Sequence, residues 1–309
     1  MKKFFIVLGI VVAVFVGLGF TKDVILKSMV TNMATKIIGT PVHMDGFSLQ
    51  FFTSTIHITG FKMDNPAGFP EGVLVSCPQI KVIFKRASLF KKTPHFLLVD
   101  IELKDMVITK NKEGKLNVDS LKIVQQSKSS PSAPMQIDRL NLSIGKSVYM
   151  DYSTSGPPSV RAYNVNSRKS YKSVPSAEQL GLLVLAAPMK AAAIKDAEIY
   201  GVAAVAGVAV LPVAIAATFI GQDSVKQDID ATFDHAYQVS LNVVKSMGTI
   251  RENDASKGVI KADIHGAMVA LRLTKGIANK TEITISARKY MFPQPETAGG
   301  VLYQIDDKL

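Results

Sequence analysis

Residues able to do chemistry are few in this 309-residue chain, and their spacing limits what they can do. Five histidines stand at His43, His57, His95, His235 and His265. None has a second histidine two or four residues away, and none lies beside a Cys/Asp/Glu set with metal-ligand spacing. Each therefore reads as a strand or surface histidine. Asp234 and His235 are adjacent in a predicted helix, where consecutive residues point to different faces, so they form no dyad. Ser88 to Lys91, SLFK, fits a serine–lysine nucleophile pattern but lacks the companion motifs such enzymes carry. The single cysteine, Cys77, excludes an internal disulfide framework and a cysteine-rich metal site. GLGF is no dinucleotide fingerprint, and no phosphate-binding loop is present. The expectation is a protein that is not an enzyme, with no cofactor and no metal.

Length allows about two domains. Hydrophobic residues at 47% against 20% charged exclude a disordered chain. The formal charge of +11 directs attention to anionic partners. The densest basic groups are Lys85, Arg86, Lys91 and Lys92, and the stretch Tyr163 to Lys172. Neither is a long basic run, tryptophan is absent, and no nucleic-acid-binding signature is found. Nucleic acid is not expected as a partner; membrane lipids are.

The N-terminus carries that expectation. Lys2 and Lys3 precede Phe4 to Phe20, 17 apolar or glycine residues without a charge. As a helix they would span roughly 25 Å, close to the hydrocarbon thickness of a bilayer. Phe20 and Lys22 make a poor signal-peptidase site, so residues 1–21 read as an uncleaved anchor with Phe4, Phe5, Phe15 and Phe20 in the lipid. The lysines hold the N-terminus in the cytoplasm, and the rest of the chain is exported. Val24 to Ile38 then reads as an amphipathic helix, with Leu26, Met29, Val30, Met33 and Ile37 on one side. Asp23 is the expected cap, and Gly39 the stop.

From Pro41 to about Asp151 the period changes to two. Ile80, Val82 and Phe84 alternate with polar residues. Val99, Ile101 and Leu103 oppose Asp100, Glu102 and Lys104, and Leu140, Leu142 and Ile144 oppose Arg139, Asn141 and Ser143. This marks antiparallel strands with one dry and one wet face, joined as a meander. NKEGKLN reads as a hairpin turn with positive φ at Gly114.

Gly60-Phe61, Asn65-Pro66, Gly68-Phe69, Ser88-Leu89, Leu116-Asn117 and Leu121 follow one another in an order that resembles the N-terminal part of the AsmA family, over roughly residues 1–150. The resemblance implies an inner-membrane protein of bacteria with its bulk in the periplasm. It implies a curved β-sheet half-barrel whose dry groove holds acyl chains, serving lipid transport or outer-membrane assembly. The groove candidates are then Ile80, Val82, Phe84, Val99, Ile101, Leu103, Leu140, Leu142 and Ile144. Phe69, in the loop NPAGFPEG, is the candidate plug, with Pro66 and Pro70 fixing the backbone and Gly68 allowing the reversal. Periodicity alone shows only a sheet with one apolar face. An ordinary core closed by the 24–38 helix, in a scaffold protein that docks on other envelope proteins or headgroups, is the alternative.

Asp151 to Ser176 is polar and reads as a linker. Ser176 is a good N-cap for a helix that Pro188 breaks or kinks. Residues 199–221 carry no charge and have the length of a second membrane span, but their Ala/Gly content and Pro212 equally fit a helix buried against the protein or lying in the interface. Beyond them come a polar-edged strand, a helix with Phe233, Tyr237, Leu241 and Val244 in one stripe, three strands and a C-terminal helix. Asp230, Phe233, Tyr237, Leu241, Gly248, Gly258, Ile260 and Ala262 resemble a small bacterial envelope family of unknown activity, found behind lipoprotein signals. The expected organisation is an anchor over 1–21, a β-rich domain over 22–155, a linker and hydrophobic helical region over 156–221, and an α+β domain over 222–309. The expected fold class is α+β.

Overall fold

The computed structural model describes residues 22–88, 91, 93–126, 134–191, 194, 197, 199, 224–277 and 280–309. The expected anchor, with Phe4, Phe5, Phe15 and Phe20, and nearly all of 199–221 lie outside the described residues. Among the described residues no helix is long and apolar enough to cross a membrane. The architecture is α+β, sheet-rich with few helices. The described residues divide into two compact units, one with those up to 108, 115–147 and 165–199, the other with 109–114, 148–164 and 224–309.

The first unit opens with helix α1, Lys22–Ile38, which Gly39 ends at φ +92°. Asp23 lies inside the first turn rather than capping it, and its Oδ1 accepts the Leu49 amide at 3.2 Å. Strands β1 (Val42–His43) and β2 (Gly46–Gln50) share one edge of β3 (Thr55–Asp64). Gly60 marks the changeover. Its φ is +59°, and the Asp45 carboxylate fills the place a side chain would take, while Asp45 N–H donates to Thr59 O at 2.9 Å.

From there the sheet runs in chain order through β4 (Val73–Phe84), β5 (His95–Lys110), β6 (Pro134–Asp151) and β7 (Ser159–Ser176). The predicted linker is thus largely an 18-residue strand. Its polar content hid it: buried positions such as Val160, Ala162, Val165 and Val174 are separated by Arg, Asn, Ser and Lys. The 111–114 turn does have Gly114 at φ +79°. It leads not into a hairpin partner but into a 3₁₀ turn, Val118–Ser120, and a short helix, α2 (Lys122–Gln126). Helix α3 (Ala177–Ala191) starts as predicted, with the Ser176 hydroxyl accepting the Gln179 amide at 3.1 Å. Pro188 sits inside it and does not end it.

Helix α1 closes part of the sheet. Leu26, Leu49 and Phe84 form one cluster, with Phe47, Ile56 and Phe96 packed against it. Burying each such side chain contributes about 1.5–3 kcal/mol. The predicted stripe on α1 holds at Leu26, but Ile37 is exposed.

The second unit contains a six-stranded antiparallel sheet. Its strands are β8 (Ser224–Ile229), β9 (Thr249–Asp254), β10 (Val259–Ile264), β11 (Ala267–Lys275), β12 (Thr281–Lys289) and β13 (Phe292–Pro293). The order is β13-β12-β11-β10-β9, with β8 also on β12. Helix α4 (Phe233–Met247) packs on β9 to β11 and helix α5 (Pro295–Asp306) on β8 and β12. The predicted helix stripe is buried at Tyr237, Leu241 and Val244, and Ile260, Val269 and Ile283 of the sheet are buried as well. β9 and β13 were not foreseen; TIREND is too polar to show a period.

Candidate functional site

The apolar face of the first sheet is built from cross-strand rungs. Ile58, Ile80 and Ile101 form one, and Ile56, Val82 and Val99 the next. Ile80, Val82, Val99 and Ile101 thus share a face over β4 and β5; Phe84 and Leu103 continue those strands, and Leu140, Leu142 and Ile144 lie on β6, the next strand of the sheet. Their exposure differs along it. Phe84, Val99, Ile101, Leu103, Leu140, Leu142 and Ile144 are each 6% exposed or less. Ile80 and Val82, with Ile56 and Ile58 beside them, are only partly buried. The face is covered on β5 and β6 and partly open along β3 and β4.

The NPAGFPEG loop is closed by its own polar groups. Asn65 N–H donates to Gly72 O at 2.9 Å and Asn65 Nδ2 to Pro70 O at 2.8 Å, while the Thr40 hydroxyl reaches Asp64 O and Asn65 O at 3.0 Å. Pro66 is the buried residue of the loop; Phe69 is half-buried and Gly68 has φ +89°. Asn117 reaches this loop from 52 residues away, its Nδ2 donating to Asn65 Oδ1 at 2.7 Å. The Asn-Pro and Leu-Asn elements of the motif series thus meet in space, which no local pattern announces.

The nucleophile and ligand candidates are engaged otherwise. The Ser88 hydroxyl donates to Lys85 O at 2.6 Å and accepts the His95 amide at 2.9 Å, bracing the β4–β5 connection. His43 meets Asp64 at 2.9 Å, and His95 meets Asp138 at 2.8 Å. The His95 hydrogen bond holds the Asp138 carboxyl below the ordinary aspartate value. His265 Nε2 lies 3.1 Å from Pro158 O. No group of three His, Cys, Asp or Glu able to hold a metal occurs among the described residues. Cys77 is buried, and desolvation, with Glu102 adding, pushes its thiol up to about 12.

A pocket of about 520 Å³ opens over β5 to β7. Glu102, Lys104, Asp105, Lys146 and Arg168 line it, with Arg168 paired to Asp100 at 3.2 Å. Its charges are mixed, and Pro78, Leu103 and Ile144 contribute apolar wall beside them. Lys146 and Arg168 were not among the expected site residues, because only the pairing of β6 with β7 brings them beside β5.

Comparison of the chain with protein-family models, with curated proteins and with solved structures finds no match.

Proposed function

We propose that this chain is a membrane-tethered, non-enzymatic scaffold of the bacterial envelope, with a sheet whose apolar face serves as its own core. The observation that carries the reading is the burial of Val99, Ile101, Leu103, Leu140, Leu142 and Ile144 at 6% exposure or less. An acyl-chain groove needs an apolar wall open to its guest, since each CH₂ left in water costs about 0.8 kcal/mol. The uncharged run Phe4–Phe20 behind two lysines supports the tether, and the order of motif residues from Gly60 to Leu121 supports an AsmA-like relationship.

A second reading, lipid handling through a half-barrel groove, draws on the partly open strip of Ile56, Ile58, Ile80 and Val82. A photo-crosslinking phenylalanine analogue placed at Val82 of the full chain in native membranes separates the two. The scaffold reading expects no lipid adduct by mass spectrometry after irradiation. A lipid adduct at this position overturns it in favour of the groove.

A further inference from the structure

One end of the first unit gathers exposed apolar side chains and exposed cations. Phe52, in the turn between β2 and β3, is 86% exposed. Val24 and Ile25, in the first turn of α1, are 67% and 41% exposed, and Leu97, near the start of β5, is 43% exposed. These positions belong to the same end of the sheet. The Asp23 carboxylate accepts the Leu49 amide at 3.2 Å, which brings the start of α1 to the end of β2. Phe84 N–H donates to Ser54 O at 2.9 Å, which brings the β2–β3 turn to the end of β4, and Lys85 N–H donates to His95 O at 2.9 Å across the mouth of β5.

Lys85, Arg86 and Lys91 stand exposed at this end, and none is in an ion pair among the described residues. Asp23 is occupied by the Leu49 amide and Asp138 by His95, with Lys85 acting on Asp138 through its charge alone. An aromatic ring held outward on a tight turn, aliphatic side chains beside it and cations around them match the boundary between acyl chains and anionic headgroups. The chain also supplies the direction. α1 begins at Lys22, directly after the apolar run Phe4–Phe20, so the strand of chain entering this end is the one expected to leave the bilayer.

We infer that this end of the first unit docks on the membrane surface, with Phe52 inserted at the headgroup–acyl boundary and Lys85, Arg86 and Lys91 on anionic phosphate groups. The inference rests on the membrane tether of the proposed function and not on whether the sheet carries lipid.

The absence of tryptophan from the chain makes the test direct. Full-length Phe52→Trp is reconstituted in phosphatidylethanolamine/phosphatidylglycerol vesicles with brominated acyl chains. Val73→Trp, exposed at the far end of β4 and about 35 Å away along its 12 residues, is the comparison. Docking predicts blue-shifted, strongly quenched emission for Phe52→Trp and unquenched emission for Val73→Trp. It also predicts that adding Lys85→Gln and Arg86→Gln lowers the Phe52→Trp quenching about twofold or more in these vesicles, and far less in phosphatidylcholine. Water-like, unquenched Phe52→Trp in a chain that resists carbonate extraction overturns the docking and leaves the tether standing; a protein partner is then the occupant to seek. Equal quenching at both positions overturns it as well, and an unchanged value in the charge variant overturns the headgroup contacts. A chain that carbonate removes from the vesicles overturns docking and tether together.

Discussion

Asn117 is completely buried, and its side-chain amide joins three segments: Nδ2 donates to Asn65 Oδ1 at 2.7 Å and to Val107 O at 2.9 Å, while Oδ1 accepts the Val118 amide at 2.9 Å. It ties the NPAGFPEG loop, the β5 strand and the 3₁₀ turn that follows it. Replacement by alanine strands Val107 O and the Val118 amide without their partner. The expected loss is about 2–3 kcal/mol in urea unfolding of Asn117→Ala. Asn65→Ala, at a partly exposed position, loses less, about 1 kcal/mol, and a double-mutant cycle returns a coupling of about 1 kcal/mol. Additive single effects would show that the Asn65–Asn117 bond carries no net stability.

The β12–β13 hairpin turns on Tyr290 and Met291, with φ +49° and +75° and Lys289 paired to Phe292. Positive φ at both central residues is the signature of a two-residue turn that prefers Asn-Gly. Here two large side chains, 85% and 88% exposed, take its place. Tyr290→Asn with Met291→Gly should stabilise the second unit by about 1–2 kcal/mol, read as a rise in its denaturation midpoint. A neutral or lower midpoint would show that the side chains hold the turn by contacts of their own.

Cys77, with its thiol pushed up to about 12, should be inert to maleimide in the folded chain at pH 8. In denaturant the same thiol returns to about 8.5 and should label within minutes. Labelling at equal rates in both conditions would show that β4 opens readily around this residue.

Asp254, the last residue of β9, is held down to about 2, chiefly by the Ser256 hydroxyl at 2.6 Å, then by Lys257, whose Nζ lies 2.9 Å away. A carboxyl depressed by folding contributes stability that is fully present above its unfolded value of 3.8 and is lost as the pH falls through about 2. The acid limb of the stability curve between those values should be shallower in Asp254→Asn than in the parent chain. Carboxyl NMR titration of Asp254 in the folded protein checks the depressed value directly.

The elements of this protein with a one-sided apolar pattern could be read from the chain. β5 showed itself through Val99, Ile101 and Leu103, β10 and β11 through their alternation, and α4 through Tyr237, Leu241 and Val244, because burial of one face imposes a period. Ser176 and Gly114 were legible for a similar reason: a cap and a positive φ are local demands met by local residues. β7 and β9 were not legible, since strands with polar residues at most positions owe their place to ladder hydrogen bonds with neighbours far along the chain.

By itself the sequence determined the α+β class, the dry faces of the strands and the lack of a recognisable catalytic constellation. Only the tertiary structure decided that most of the dry face is covered while Ile80 and Val82 are only partly buried, that Asn65 meets Asn117, and that Phe52 stands out at the same end as exposed cations. Periodicity states which residues share a face. Whether that face is closed, and what gathers at its ends, depends on contacts between segments tens of residues apart, which no local pattern encodes.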